Sequence, residues 1–348
     1  MQPHVILLAL DSVGIDPAGH ERPESVYGRS RFLFPAGRKG DLLALPDAPV
    51  PGALVETDVI GMHERGAIEC AITYTSIFSG QSAVDRHGLM RGLGLNEQLL
   101  KDMVGGDNLF RHFQTPCLAN AIFPYHLTFL GTSFVQDMLP AQDRLTVESR
   151  YRLRGRPLCL KGPNKSGLPE LFTLAEINQN IFVHAARMAG LKLNTWEDVR
   201  RRQALTSSMT HELEADFEFF GQAPLPVHTP QDAAAIVVSL AAEHDFTFYK
   251  YQIPDLVSHT GRIELAREVF ETIETFVEGV LRSIDPADTV VVITSDHGHL
   301  EQLTSSHAHP KSKVPTWYFG PNPERAADRL RRPEEIFRLL APMGQESR

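Results

Sequence analysis

The strongest constraint on this chain is the strand and helix alternation of its last third. Gln231 to His244 has helical spacing, Phe246 to Ile253 reads as a strand, Ile263 to Arg282 as a helix and Thr289 to Thr294 as a strand. Alternation of this kind implies βαβ units, and therefore a parallel sheet covered by helices. At the other end of the chain, Val5-Ile-Leu-Leu-Ala-Leu10 is a continuous apolar run that stops at Asp11-Ser-Val-Gly-Ile15, the signature of an inner strand ending in a carboxylate on a turn. Cys117 to Phe123 and Thr316 to Phe319 read as further strands. Asn96 to Met103, the stretch near Ala175 to Ala189, and Glu334 to Leu340 behind Pro333 read as helices. Glu21 to Gly66, rich in Pro and Gly, reads as a long and mostly irregular connection. Between 124 and 230 the patterning is mixed, with basic clusters at Arg150 to Arg156 and Arg200 to Arg202. The expectation is an α/β protein with a mostly parallel central sheet flanked by helices. Its core would be built from residues 1–123 and 231–348, with 124–230 as an inserted cap or lid.

Composition narrows the function classes. A chain of 348 residues with 42% hydrophobic and 22% charged residues is that of a folded soluble protein. With 34 Lys+Arg against 43 Asp+Glu, its formal charge of −9 offers no broad field for nucleic acid or an anionic membrane. A small anionic substrate would need locally placed cations. Cys70, Cys117 and Cys159 are scattered and odd in number, which favours a reducing compartment, and the cytoplasm is the expected location. The run from Val5 to Leu10 is too short for a signal peptide, and no run has the length of a membrane span. No heptad run or apolar interface stripe sets an oligomeric state.

Ionisable residues gather where the strands end. Asp11 follows the first strand, Asp255 and His259 follow another, Asp296-His297-Gly298 the next, and His309 precedes the last. In a parallel sheet these loops share one edge. Carboxylates and imidazoles collected there suit Zn²⁺ or Mn²⁺, and two such ions about 4 Å apart suit a phosphate or sulfate ester. Bland readings exist for each residue alone. Asp296 is equally a turn-capping acid, His309 a surface histidine, and Asp16/His20 repeats the Asp-x-x-x-His spacing elsewhere in the chain.

The ordered set resembles the alkaline phosphatase superfamily, in particular the branch with cofactor-independent phosphoglycerate mutase and phosphopentomutase. Leu10-Asp-Ser-Val-Gly-Ile15 is similar to the phosphopentomutase opening, Asp255-Leu-Val-Ser-His259 to the Asp-x-x-x-His motif, and Thr294-Ser-Asp-His-Gly298 to the Asp-His-Gly motif; His309 precedes Val314-Pro315 at the familiar distance. The resemblance covers roughly 1–123 and 231–321. It implies an alkaline phosphatase-like core with a cap and two divalent metal ions, one held by Asp11, Asp296 and His297, the other by Asp255, His259 and His309. It also implies phosphohydrolase or phosphotransferase activity on a small phosphate ester. A phosphomutase, or a metal-binding homologue that has lost catalysis, is the alternative.

The nucleophile position departs from that pattern. The superfamily places Ser, Thr or a modified Cys ten residues before the Gly of a Leu-x-Thr-Gly-like segment; Phe78-Ser-Gly80 matches the segment, and counting back gives Cys70. A thiol at a helix start beside a divalent cation shifts toward thiolate, so Cys70 is a candidate both as metal ligand and as nucleophile; simple packing as a small apolar group is the other reading. Formylglycine maturation is disfavoured because Ile72 and Tyr74 stand where Pro and Arg are needed. Thr73 and Thr75 are fallback hydroxyls. Thr73-Tyr74 replaces the Gly-His of the mutase branches, which counts against mutase activity. Glu69 reads as an orienting group or a solvated helix-start acid. Arg86 reads as an anion contact or a plain surface charge, and His299 and His307 as outer partners of the centre or as exposed loop histidines. Arg150, Arg152, Arg154, Arg156 and Lys161 read as a basic lid or a solvated face.

Overall fold

The computed structural model describes residues 3–19, 22, 24–34, 42–45, 48–59, 70–87, 97–121, 152–153, 156–157, 181–211, 225–258, 260–303 and 310–345. Seven strands form one sheet: β1 (His4–Leu10), β2 (Leu42–Leu45), β3 (Ala48–Thr57), β4 (Pro116–Leu118), β5 (Phe246–Tyr251), β6 (Thr289–Ser295) and β7 (Val314–Phe319). Their order is β2-β3-β7-β6-β1-β5-β4. Four adjacent strands, β6, β1, β5 and the edge strand β4, run parallel. β7 runs against β6, β3 against β7, and β2 against β3. The sheet is therefore mostly parallel, with an antiparallel flank.

Period-two alternation explains why β1 has no polar side. Ile6, Leu8 and Leu10 enter one core while Val5, Leu7 and Ala9 enter the other. On β6, Val291 and Ile293 share the first core, and Val290 and Val292 the second. Both faces are therefore covered by helices. The helices that position the site are α1 (Cys70–Ser79), α2 (Glu97–Gly105), α3 (Ile181–Met188), α4 (Pro230–Glu243), α5 (Ile253–Ser258), α6 (Ile263–Ser283) and α7 (Pro333–Leu340).

α4 starts at a reciprocal capping box, in which Thr229 accepts from the Asp232 N–H and the Asp232 carboxylate accepts from the Thr229 N–H. α6 buries Leu265, Val269, Phe270, Ile273, Phe276, Val277 and Val280, the stripe its sequence spacing predicts. These two helices cover the first core, and α1, α2, α3 and α7 cover the second. There Tyr74, Phe78, Phe182 and Phe248 meet ring to ring, at 5.5 Å between Tyr74 and Phe182 and 5.0 Å between Phe78 and Phe248.

The structure departs from the sequence reading in several places. The stretch expected to be irregular from Glu21 to Gly66 contains β2 and β3. Pro49 and Pro51 hide the alternation of β3, which lies toward the edge of the sheet, where prolines are tolerated. Gly52 has no Cβ because the Phe319 ring lies where one would be. The strand expected to reach Ile253 ends at Tyr251, and Ile253 opens α5, which carries Asp255 in its first turn. β4 ends at Leu118, after which Asn120 makes a single bridge with Leu205. Residues 181–211, within the span assigned to an insert, pack on the core, with Phe182 in one cluster and Leu205 in the other.

Candidate metal centre

Register brings the chemistry together. Leu10 pairs with Tyr251 on one side and with Ser295 on the other, so β1, β5 and β6 end level. The next residues are Asp11 on β1 and Asp296 on β6, and the Asp11 N–H donates to the Tyr251 carbonyl at 2.9 Å. The first residue of α1 is Cys70, whose Sγ lies 3.3 Å from His297 Nε2 and 3.8 Å from Asp11 Oδ1. His297 Nε2 is 3.4 Å from Asp11 Oδ1 and 3.8 Å from Asp296 Oδ1. One donor atom from each of Asp11, Cys70, Asp296 and His297 lies within 4.8 Å of the others.

The set fits a divalent ion. It offers carboxylate, imidazole and thiol donors in one cluster, buried except for the half-buried Cys70. Without a cation the cluster is electrostatically loaded. Burial, then the charge of Asp296, pushes the Asp11 carboxyl up to about 8 although Lys250 pulls the other way. Burial also acts to raise Asp296, but His297 and Lys250 outweigh it and hold that carboxyl below its ordinary value. Burial opposes the imidazolium of His297, yet Asp296 and Asp11 win and its pKa rises. Burial, with the carboxylates of Asp11 and Asp296 behind it, pushes the Cys70 thiol well up. Cys70 is accordingly held as a thiol.

Asp255 adjoins this set through Ser12. The Ser12 hydroxyl donates to Asp255 Oδ1 at 2.5 Å and lies 3.1 Å from His297 Nδ1, while the Ser12 N–H donates to Asp296 Oδ1 at 3.2 Å. Ser12 takes a φ of 65°, a left-handed conformation that costs a side-chain-bearing residue energy and is common where chemistry is done. His299 is buried rather than exposed, with Nδ1 3.9 Å from Asp255 Oδ1. Its N–H donates to Glu301 at 3.0 Å, and Gly14 and Gly298 lack the Cβ atoms that the Glu301 carboxylate would strike. His259 and His309, the partners expected for Asp255, lie outside the described residues, as do His20, Glu69, His307 and the basic residues Arg150, Arg154 and Lys161.

The hydroxyl alternatives are occupied. Thr73 donates to the Asp296 carbonyl at 2.8 Å, and Thr75 turns back to Ala71 within α1. Asp16, in the repeated Asp-x-x-x-His spacing, is held by the Ala18 N–H and by Arg22 at 3.1 Å, away from the centre. Arg86 is exposed on the short helix after α1. Sequence reasoning missed two residues. One is Ser12. The other is Lys250, whose Nζ sits 2.8 Å from Asp11 Oδ2 and 3.8 Å from Asp296 Oδ2. A lysine in the otherwise apolar and aromatic strand Phe246-Thr-Phe-Tyr-Lys-Tyr251 was the signal available for it.

Comparison with known proteins agrees with this geometry. Residues 227–343 match the family model described as the Metalloenzyme superfamily. That span is similar to metalloenzyme-superfamily sequence. It holds Asp255, Asp296 and His297 of the centre. The chain is also 30% identical over 112 residues to the 2,3-bisphosphoglycerate-independent phosphoglycerate mutase of an Enterobacter species, a match covering 30% of this chain and 22% of that protein. The Haloquadratum walsbyi protein of the same name is 28% identical over 120 residues, covering 33% and 24% of the two chains. Each match thus spans less than a quarter of the relative's length. The alkaline phosphatase of the Antarctic bacterium TAB5 aligns over 99% of each chain at 13% identity, with a TM-score of 0.43. Among the described residues, no helix is long and apolar enough to cross a membrane.

Proposed function

We propose that the chain is a divalent-metal-dependent phosphoryl-transfer enzyme acting on a small phosphate ester, with Cys70 at the nucleophile position. The observation that supports this most is the convergence of Asp11, Cys70, Asp296 and His297 at the level ends of β1 and β6 and the start of α1. Asp11, Asp296 and His297 would hold one ion, and Asp255, with His259 and His309, a second. A bound divalent ion, Zn²⁺ or Mn²⁺, would supply Lewis-acid stabilisation of charge on the phosphoryl oxygens.

The chain's own residues have separable tasks. Burial and the two carboxylates oppose ionisation of Cys70, and a bound cation would offset them, which ties the thiolate to the loaded state. Ser12 orients Asp255 and Asp296 together through its hydroxyl and its N–H. Thr73 anchors the backbone of Asp296 to α1, fixing the thiol relative to the carboxylates. An in-line attack by Cys70 sulfur on phosphorus forms an S–P bond as the ester oxygen departs, and water or a second hydroxyl then takes the phosphoryl group. A cap drawn from the part of 124–230 outside the core-packed residues 181–211 would supply the cations that select the substrate.

A phosphomutase is the second reading, favoured by the mutase names of the curated relatives. The test is a screen of Zn²⁺- or Mn²⁺-loaded protein against phosphate monoesters and diesters, following both released phosphate and phosphate moved within the substrate. Turnover that Cys70→Ala abolishes supports the thiol reading. Turnover appearing only in Cys70→Ser points to a parent that binds metal without catalysis, and full turnover in Cys70→Ala removes Cys70 from the reaction.

A further inference from the structure

On β5, Phe246, Phe248 and Lys250 share the face that looks toward α1; the two phenylalanines are core residues, and the lysine side chain is only 7% exposed. An ammonium buried in an aromatic layer is costly unless charged partners meet it. Lys250 has them in Asp11 Oδ2 and Asp296 Oδ2, with the Tyr74 ring 5.0 Å away.

The two carboxylates divide their oxygens between two sides. Oδ1 of Asp11 faces His297 and Cys70, and Oδ1 of Asp296 accepts from the Ser12 and His297 N–H groups. Oδ2 of both faces Lys250. The pair therefore presents two cation positions, an Oδ1 side bordered by thiol and imidazole and an Oδ2 side filled by a cation that cannot diffuse away.

We propose that Lys250 is a tethered cation of the centre: it occupies the Oδ2 side of Asp11 and Asp296, fixes which oxygens face the divalent ion, and lowers the affinity for that ion by its charge. It is a positioning residue. It keeps the two carboxylates close when no metal is bound, and it holds the Asp11/Asp296 pair to one divalent ion. The inference rests on the metal-centre reading above and deepens it.

The test uses the full chain and Mn²⁺ alone. Equilibrium dialysis gives affinity and stoichiometry for the parent, Lys250→Gln, Lys250→Met and Lys250→Arg, and thermal melts are run with and without Mn²⁺. The expected result is at least about tenfold tighter Mn²⁺ binding in the two neutral variants, with a lower metal-free Tm that Mn²⁺ restores, and parental behaviour in Lys250→Arg. Equal or weaker binding in Lys250→Gln overturns the proposal while leaving the metal centre intact. A parent that binds no Mn²⁺ overturns the centre itself. If neither neutral variant folds even with Mn²⁺, the lysine is structural, and the proposal is likewise overturned.

Discussion

Two places in this molecule bury carboxylates at the same depth and treat them in opposite ways. Glu274, fully buried on α6, is saturated: Ser30 Oγ donates at 2.7 Å, and the N–H groups of Arg31, Phe32 and Leu33 donate at 2.9, 3.1 and 3.1 Å. It pins the segment after β1 to the helix layer. Asp11 and Asp296 are instead crowded against each other, a thiol and an imidazole, with the Lys250 ammonium on their Oδ2 side. A buried charge given enough donors stabilises the fold, whereas buried charges aimed at one another leave a deficit that a cation can fill.

The largest effect that separates the two regions is on metal binding. Asp296→Ala should weaken Mn²⁺ binding about 100-fold or more in dialysis, a larger effect than any it has on metal-free stability. Glu274→Ala should do the reverse, costing roughly 3 kcal/mol in denaturant unfolding by leaving several donors buried and unpaired, with Mn²⁺ affinity in the folded protein unchanged. A loss of metal binding in Glu274→Ala, or unchanged Mn²⁺ binding in Asp296→Ala, would erase the contrast.

pH sharpens the comparison. The raised pKa of Asp11 means the metal-free native state keeps a proton that the unfolded chain has already lost. Stability from this group is therefore full below about pH 4 and declines as pH rises toward about 8. Mn²⁺ must displace that proton and the thiol proton of Cys70, so binding should release protons and tighten as pH rises through the same window, measurable by calorimetry in buffers of different ionisation enthalpy. Binding that is independent of both buffer and pH would contradict this. The smallest effect lies away from both regions. Thr229→Ala, which opens the capping box of α4, should cost about 1 kcal/mol in unfolding and leave Mn²⁺ affinity alone.

Much of this was legible in the sequence, for identifiable reasons. β1, α4, α6 and β6 carry unbroken apolar runs or full helical stripes, and the residues following β1 and β6 fall into place once the register is level. Cys70 was found by counting within a motif. β3 was hidden because its prolines and glycine mimic a loop, and sequence period cannot show that Phe319 needs the space at Gly52. Ser12 was invisible because its role comes from a left-handed backbone. Lys250 was overlooked because a single lysine in a strand reads as an edge or a surface, and its burial depends on Asp11 and Asp296, which are distant in sequence.

The most direct test is a crystal of the protein grown with Mn²⁺ and measured for anomalous scattering. The account predicts a peak about 2.0 to 2.4 Å from the Asp11 and Asp296 Oδ1 atoms, His297 Nε2 and Cys70 Sγ, with Lys250 still on the Oδ2 side. Ordered Asp11 and Asp296 with no peak between them and His297, or a peak only elsewhere in the molecule, would contradict it.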